Sequence, residues 1–234
     1  MSQINVDLVR SFSFVGNPVD LNGVPVRYTS DDSIIGIGKN ALSGATGINN
    51  TAVGKSALQS ITTGDANVAV GNGALIICTG NDNTAIGRNS GFSNTTGTNN
   101  VFIGHISAGS SATASGEINL GNAANTILRC AVTSITSLSD ARDKSNIEDS
   151  TYGLEVINSL RPVTFDWDTR DGVKKGVKDL GFIAQELQSV DNEHLGLVYN
   201  ENPEKLEASY GRLIPVLVKA IQDLSKEIEI LKSK

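Results

Sequence analysis

The sequence predicts a trimeric β-solenoid with rungs of 16–17 residues, followed by a small α+β domain that ends in a long coiled-coil helix. Three observations point there. Composition changes abruptly near Ser139, a glycine- and asparagine-rich motif repeats in register before that point, and an apolar stripe at helical spacing closes the chain. Of the 44 charged residues only 13 lie in the first 139 positions, whereas 18 of the 24 glycines do. Net charge is −6 overall and −1 over residues 1–139, so −5 sits on the remaining 95. Two physically different regions are therefore expected, with boundaries at 1–33, 34–138 and 139–234.

Several function classes are disfavoured at once. No apolar run approaches the ~20 residues that span a bilayer, and the opening MSQINVDLVR lacks the basic-then-apolar layout of a signal peptide. Neither membrane insertion nor export by that route is expected. A mildly acidic balance gives no reason to expect nucleic acid as a partner. Cys78 and Cys130 are too few for a disulfide framework or a zinc site. No metal and no cofactor is expected.

Residues 1–33 carry Val6, Leu8, Val15, Val19, Leu21 and Val24, which suggest short strands broken by Asn17-Pro18 and Asn22-Gly23. Such a segment either begins the solenoid or docks onto a larger particle.

The next region is the repeat. Segments 47–54 (GINNTAVG), 64–71 (GDANVAVG), 80–87 (GNDNTAIG) and 97–104 (GTNNVFIG) align, and Gly54, Gly71, Gly87 and Gly104 step by 17, 16 and 17. Ile37-Gly38 and Leu120-Gly121 extend the register at either end. Asn50, Asn67, Asn83 and Asn100 form a second column, and Thr46, Thr63, Thr79 and Thr96 a third. A period this short holds a strand and its turns, not a helix pair, so each unit reads as a solenoid rung. The glycines are expected to supply positive φ at the corners, and stacked asparagines to pair their amides along the ladder. Each rung is expected to bury one Val or Ile with small residues. That leaves a thin core, which packing three chains around one axis would thicken. The rungs resemble those of trimeric adhesin heads and phage fibre shafts.

Chemistry in the shaft is not expected. Between Ile34 and Leu128 the only acidic residues are Asp65, Asp82 and Glu117, and the only histidine is His105. A glycosidase needs two carboxylates held ~5–9.5 Å apart; Asp65 and Asp82 stand in different columns and read as turn residues. His105 reads as a surface or inter-chain contact.

Beyond the boundary come four blocks: Ser139–Ile147 (SDARDKSNI), Leu160–Trp167 (LRPVTFDW), Leu180–Leu187 (LGFIAQEL) and Tyr210–Leu224 (YGRLIPVLVKAIQDL). Judged alone, the first reads as a turn or helix start with Ser139 as cap. Taken together and in order, the blocks resemble the C-terminal intramolecular chaperone domain of phage tail fibres and endosialidases, the S74 peptidase family. The resemblance implies a domain that drives trimerisation and folding of the fibre and then cuts itself off. It implies scission between Ser139 and Asp140, Ser139 as nucleophile and Lys144 as base. Asp140 and Arg142 belong to the same motif in supporting roles, and Glu186 is a weaker candidate for positioning Lys144 or a neighbouring chain. A serine hydroxyl needs a nearby base, and a lysine serves only if its pKa falls from ~10.4 by desolvation or a neighbouring cation. Trimer formation is expected to bury Lys144 and bring Arg142 near it. The motif leaves open whether Ser139 attacks its own carbonyl, acts through an N-to-O acyl shift, or is helped by another subunit.

Phe165, Trp167, Leu180, Phe182 and Ile183 are expected to form the small α+β core, with Asp171–Lys178 as a hairpin loop. From Tyr210, Leu213, Leu217, Ala220, Leu224, Ile228 and Leu231 recur at spacings of four and three, the stripe of a coiled-coil helix over about 210–233. Pro215 sits near its start, where a missing N–H costs little.

The reading is thus a phage virion fibre or spike assembled in the host cytoplasm as a homotrimer, with a self-cleaving chaperone. It joins other virion or tail proteins through its N-terminal region and contacts a saccharide or protein receptor on the host surface. It is a peptidase only on itself, for a single turnover. The alternatives are a bacterial trimeric adhesin, which predicts a signal peptide and a membrane β-barrel, and a carbohydrate-degrading tailspike, which the sparse carboxylates disfavour.

Overall fold

The computed structural model describes residues 19–21, 24–28, 34–125, 127–131 and 135–234. The strands suggested around Val6, Leu8 and Val15 lie outside them. The chain forms two compact units, Met1–Asn125 and Thr126–Lys234.

The first unit is a solenoid. Strands β1 (Val19–Leu21), β2 (Val24–Tyr28), β3 (Ile34–Ile37), β4 (Asn50–Val53), β5 (Val68–Val70), β6 (Thr84–Ile86), β7 (Val101–Ile103) and β8 (Ile118–Leu120) form one sheet in chain order. β1, β2 and β3 pair antiparallel, and β3 to β8 pair parallel, one strand per rung. The N-terminal hairpin therefore opens the solenoid sheet. Corner glycines repeat as expected: Gly38, Gly54, Gly71, Gly87 and Gly104 have φ between 122° and 139°. A Cβ on Gly54 would stand 2.5 Å from the Gly71 carbonyl oxygen, so the column is closed to any other residue by contact as well as by φ.

The core differs from the expected one. The middle residue of each strand points inward, so Ala52, Ala69 and Ala85 are buried, together with Phe102. The flanking Ile37, Val70, Ile86 and Ile103 face outward and stay 36–45% exposed. The opposite wall explains the inversion: Leu42, Leu58 and Leu75 fill the interior from the turn segments, at φ of 50°, 48° and 47°. A left-handed backbone costs a leucine roughly 1–2 kcal/mol, and full burial of its side chain returns a similar or larger amount. One rung exchanges the two walls. Gly91 stands in the leucine column, and a Cβ there would meet the Phe102 ring at 2.7 Å. Phe102 takes the volume that a leucine fills in the other rungs.

The asparagine ladder forms as expected. Asn67, Asn83 and Asn100 each donate Nδ2 to the Oδ1 of the preceding asparagine at 3.1 Å, and their backbone N–H groups donate to the same oxygens. Asn50, Asn67, Asn83 and Asn100 are all at most 1% exposed, so this pairing satisfies groups that water cannot reach. Glu117 occupies the next place in the column and closes the ladder, its N–H donating to Asn100 Oδ1 at 2.9 Å.

The second unit is smaller. Helix α1 (Leu154–Ser159) precedes a hairpin of β9 (Val163–Asp168) and β10 (Lys175–Gly181), then α2 (Ala184–Val190), a short pair β11 (Val198–Tyr199) and β12 (Glu207–Ala208), and helix α3 (Leu213–Lys232). Its buried centre is Leu187, Leu195, Leu197, Leu213 and Val216, with Phe182 packed against it. This corrects the expected core: Leu180 is 67% exposed and Ile183 36% exposed, and Phe165 and Trp167 are only half-buried. The reason is that the apolar centre is built by α2, α3 and the segment holding Leu195 and Leu197, with α1 packed against it, while β9 and β10 pair with each other. The expected loop Asp171–Lys178 is also shorter, since strand β10 already begins at Lys175. Only Leu213, Val216 and Ala220 of α3 are buried; Leu217, Leu224, Ile228 and Leu231 remain 42–69% exposed. Among the described residues no helix is long and apolar enough to cross a membrane.

Candidate functional site

Ser139 and Lys144 are brought together by the turn between them. Asp140 accepts a hydrogen bond on Oδ1 from the Arg142 N–H at 2.9 Å and so caps a single turn of 3-10 helix, Ala141–Asp143. Lys144 leaves that turn in an extended conformation, its N–H donating to the Ala141 carbonyl at 3.2 Å. The reversal carries its side chain back: Lys144 Nζ lies 2.7 Å from Ser139 Oγ and 3.2 Å from the Ser139 carbonyl oxygen. One amine thus touches both the candidate nucleophile and the carbonyl of the candidate scissile bond.

The cap is Asp140, not Ser139 as the isolated motif suggests. The exchange matters chemically, because a capping serine would spend its hydroxyl on the backbone, whereas here Oγ faces the amine. In the single chain Arg142 is engaged by Asp140. Its Nε and Nη2 grip the Asp140 carboxylate at 2.6–3.1 Å, and this pairing, with the Arg142 N–H, holds the Asp140 carboxyl below the usual range. The guanidinium is committed to Asp140 and not to Lys144. Ser139, Lys144 and Arg142 are all exposed in the single chain.

Glu186 is placed elsewhere. It pairs with Arg161 through Nη2 and through Nε, the latter at 3.1 Å. The third block also meets the fourth: Tyr210 OH accepts from the Phe182 N–H at 3.1 Å, the two rings stand edge to face, and a Cβ on Gly181 would clash with Tyr210 OH at 2.5 Å. So the second, third and fourth blocks build the folded body, and the first holds the Ser139–Lys144 pair.

The shaft residues behave as turn and ladder elements. Asp65 accepts the Ile48 N–H at 2.7 Å, and Asp82 takes a left-handed turn position at φ 57°. His105 Nε2 meets Arg88 Nη2 on the surface. Burial pushes the Cys78 thiol up, while Cys130 is exposed. Among the described residues no group of three His, Cys, Asp or Glu side chains is arranged to hold a metal.

Sequence reasoning missed the Glu117 cap and the Phe102–Gly91 exchange. The first could have been found by extending the asparagine column one step further. The second was visible as two simultaneous departures from the repeat in adjacent places.

Comparison with known proteins bears on the second unit. No curated protein and no solved structure matches the chain. Residues 139–196 match the Peptidase_S74 family model, described as chaperone of endosialidase. That segment begins at Ser139, contains the Ser139–Lys144 pair and spans the first three blocks. After its solenoid the chain thus carries a segment similar to the S74 family model, described as chaperone of endosialidase.

Proposed function

We propose that the chain is a homotrimeric subunit of a bacteriophage tail fibre or spike, whose C-terminal region promotes assembly of the shaft and then cleaves the chain between Ser139 and Asp140. The observation that carries the reading is the contact of Lys144 Nζ with both Ser139 Oγ and Ser139 O, inside the segment that matches the chaperone family. The apolar outward face of the shaft and the uncovered stripe of α3 support a trimer, since each gives a second and third copy something to bury. The N-terminal region joins other tail proteins, and the shaft serves attachment to the host.

The chemistry follows from the two contacts. As a neutral amine, Lys144 takes the Oγ proton as oxygen attacks a carbonyl carbon. The Lys144 beside the attacked carbonyl, as an ammonium, donates to the developing oxyanion and delivers a proton to the departing Asp140 nitrogen. Attack by Ser139 on its own carbonyl closes a four-membered ring. Attack on the preceding carbonyl breaks the Leu138–Ser139 bond instead. A Ser139 hydroxyl from a neighbouring copy meets neither obstacle, and water then hydrolyses the ester it forms. Because Lys144 is exposed in the single chain, assembly is the step that would desolvate it. Cleavage would therefore report assembly.

A denaturing gel tests the assignment. The native chain is expected to yield fragments of 139 and 95 residues, and Ser139→Ala and Lys144→Ala to remain intact. If either variant is cut at the native rate, the dyad is wrong.

A further inference from the structure

Between Ile34 and Leu128 the sequence has three lysines and arginines, Lys39, Lys55 and Arg88, and one histidine, His105. All four occupy the same place in the rung, directly after the corner glycines Gly38, Gly54, Gly87 and Gly104. Asn72 and Asn122 hold the remaining two places. The backbone stacks these positions from rung to rung. The carbonyl of Lys39 accepts from Ser56 at 2.8 Å, that of Lys55 from Gly73 at 2.9 Å, that of Asn72 from Asn89 at 2.8 Å and that of Arg88 from Ile106 at 3.0 Å. The His105 carbonyl accepts from the Asn122 side chain at 2.7 Å. Side chains of Lys39, Lys55, Asn72, Arg88 and His105 are exposed.

No packing role accounts for this column. Neighbouring rungs stand about 4.8 Å apart, so stacking lysine on lysine costs repulsion that a scattered arrangement would avoid. Among the described residues none of Lys39, Lys55 and Arg88 is in an ion pair; the ion pairs all lie in the second unit. The shaft's carboxylates stand in other columns, and two of the three are engaged there, Asp65 by Ile48 and Glu117 by Ser110 and Asn119. Packing three such columns around one axis would multiply the repulsion with no anion to relieve it. The column therefore belongs on the outer surface of a trimer.

We infer that this cationic column is the contact line for a linear anionic polysaccharide. A straight row of positive charges, separated by one or two rung spacings, matches a chain that carries one carboxylate per sugar or per few sugars, because the rung spacing is on the order of one pyranose residue. Nucleic acid fits less well. Its charge is far denser than the column's, and the only aromatic residues between Ile34 and Asn125 are Phe92, exposed, and Phe102, buried, so a single ring and no row of platforms is offered to successive bases. The inference deepens the attachment role proposed above and rests on it for its biological setting, but the contact itself is measured separately.

The test is binding of the full chain to immobilised polygalacturonate, with uncharged dextran and duplex DNA alongside. The variant is Lys39→Asn, Lys55→Asn and Arg88→Asn combined, which places at each rung the residue that Asn72 already holds; an unchanged melting temperature shows that the shaft still folds. Retention on polygalacturonate is expected to fall about tenfold or more in the variant and to weaken as salt rises, with no retention on dextran. Lys175→Asn with Lys178→Asn, on the second unit, is expected to leave it unchanged. Equal binding by the triple variant, equal binding to dextran, or tighter binding to DNA would each overturn the inference. Adsorption of assembled particles to host cells reads the attachment role on its own: loss of polygalacturonate binding with adsorption intact leaves the column a polyanion site and removes its attachment role, whereas no polygalacturonate binding by the native chain ends the inference while leaving attachment open to another surface.

Discussion

The two units are stabilised in opposite ways. In the solenoid each rung exchanges backbone and side-chain hydrogen bonds with its neighbours, the asparagine ladder lies at most 1% exposed, and leucines, alanines and one phenylalanine fill a continuous core. In the second unit five residues form the buried centre, while most of the long helix's apolar residues remain uncovered. The first satisfies itself within one chain along its length and leaves one apolar sheet face. The second leaves the larger share of its apolar surface unsatisfied, as expected of a region whose work is done between chains.

Breaking the solenoid's core should have the largest effect. Phe102→Ala removes the largest fully buried side chain and is expected to cost about 3–5 kcal/mol, read as a fall in the denaturation midpoint. Gly91→Leu alone should also destabilise, because its Cβ meets the Phe102 ring and the end of the Leu75 side chain, each at 2.7 Å. Combining the two restores the alanine–leucine pairing of the other rungs, at a φ near that already adopted by Leu42, Leu58 and Leu75, and is expected to recover more than half of the loss. A double-mutant cycle that shows simple additivity would contradict the exchange.

The ladder comes next. Asn67→Ala leaves the buried Asn83 backbone N–H without its acceptor and removes the Asn67 Nδ2 bonds to Asn50 Oδ1 and the Gly80 carbonyl, and is expected to cost about 2–3 kcal/mol. Thr46→Ala removes one exposed bond, from Thr46 Oγ1 to the Thr62 carbonyl, and should cost no more than about 0.5 kcal/mol.

This contrast also shows what could be read in advance. The glycine and asparagine columns were legible because only those residues meet the steric and hydrogen-bonding demands of their places, so repetition exposed them. Which face of each strand is inside was not legible. Alternation defines two faces but does not rank them, and the deciding leucines Leu42, Leu58 and Leu75 lie in turn segments outside the alternating strands, although they recur in the same register. The pairing of Lys144 with Ser139 was legible only through the resemblance to the chaperone family, since the motif by itself reads as a capped turn. The cap on that turn was not, because Ser139 and Asp140 are both good caps. Nor was the partner of Glu186: Arg161 lies 25 positions earlier, a separation that no local rule spans.

The helix sharpens the comparison from the other side. Ile228→Asp with Leu231→Asp touches nothing buried, so thermal stability of the isolated second unit's fold should change by no more than about 0.5 kcal/mol, while sedimentation should show loss of the trimer. Leu213→Ala, inside the buried centre, should do the reverse in order, lowering stability first by about 2–4 kcal/mol.

The smallest effects concern single groups. Iodoacetamide should modify Cys130 in the native protein and Cys78 only after unfolding, since burial and the raised thiol pKa both protect the latter. Asp179 accepts from Trp167 Nε1 at 2.9 Å, and this bond, with the Leu180 N–H and Lys174, lowers its pKa. A group lowered on folding contributes stability above its unfolded pKa and loses that contribution as pH falls through the folded one. Asp179→Asn should therefore make the hairpin slightly less sensitive to acid, seen in tryptophan fluorescence over the carboxylate range.

The account's central claim is that assembly activates Lys144 to cut one bond. Intact mass spectrometry of monomeric and trimeric fractions, separated under native conditions, tests it most directly. The expected result is fragments ending at Ser139 and beginning at Asp140 in the trimeric fraction alone, and full-length chain in the monomer. A trimer composed of uncut chains, or a monomer cut as fast as the trimer, would contradict it.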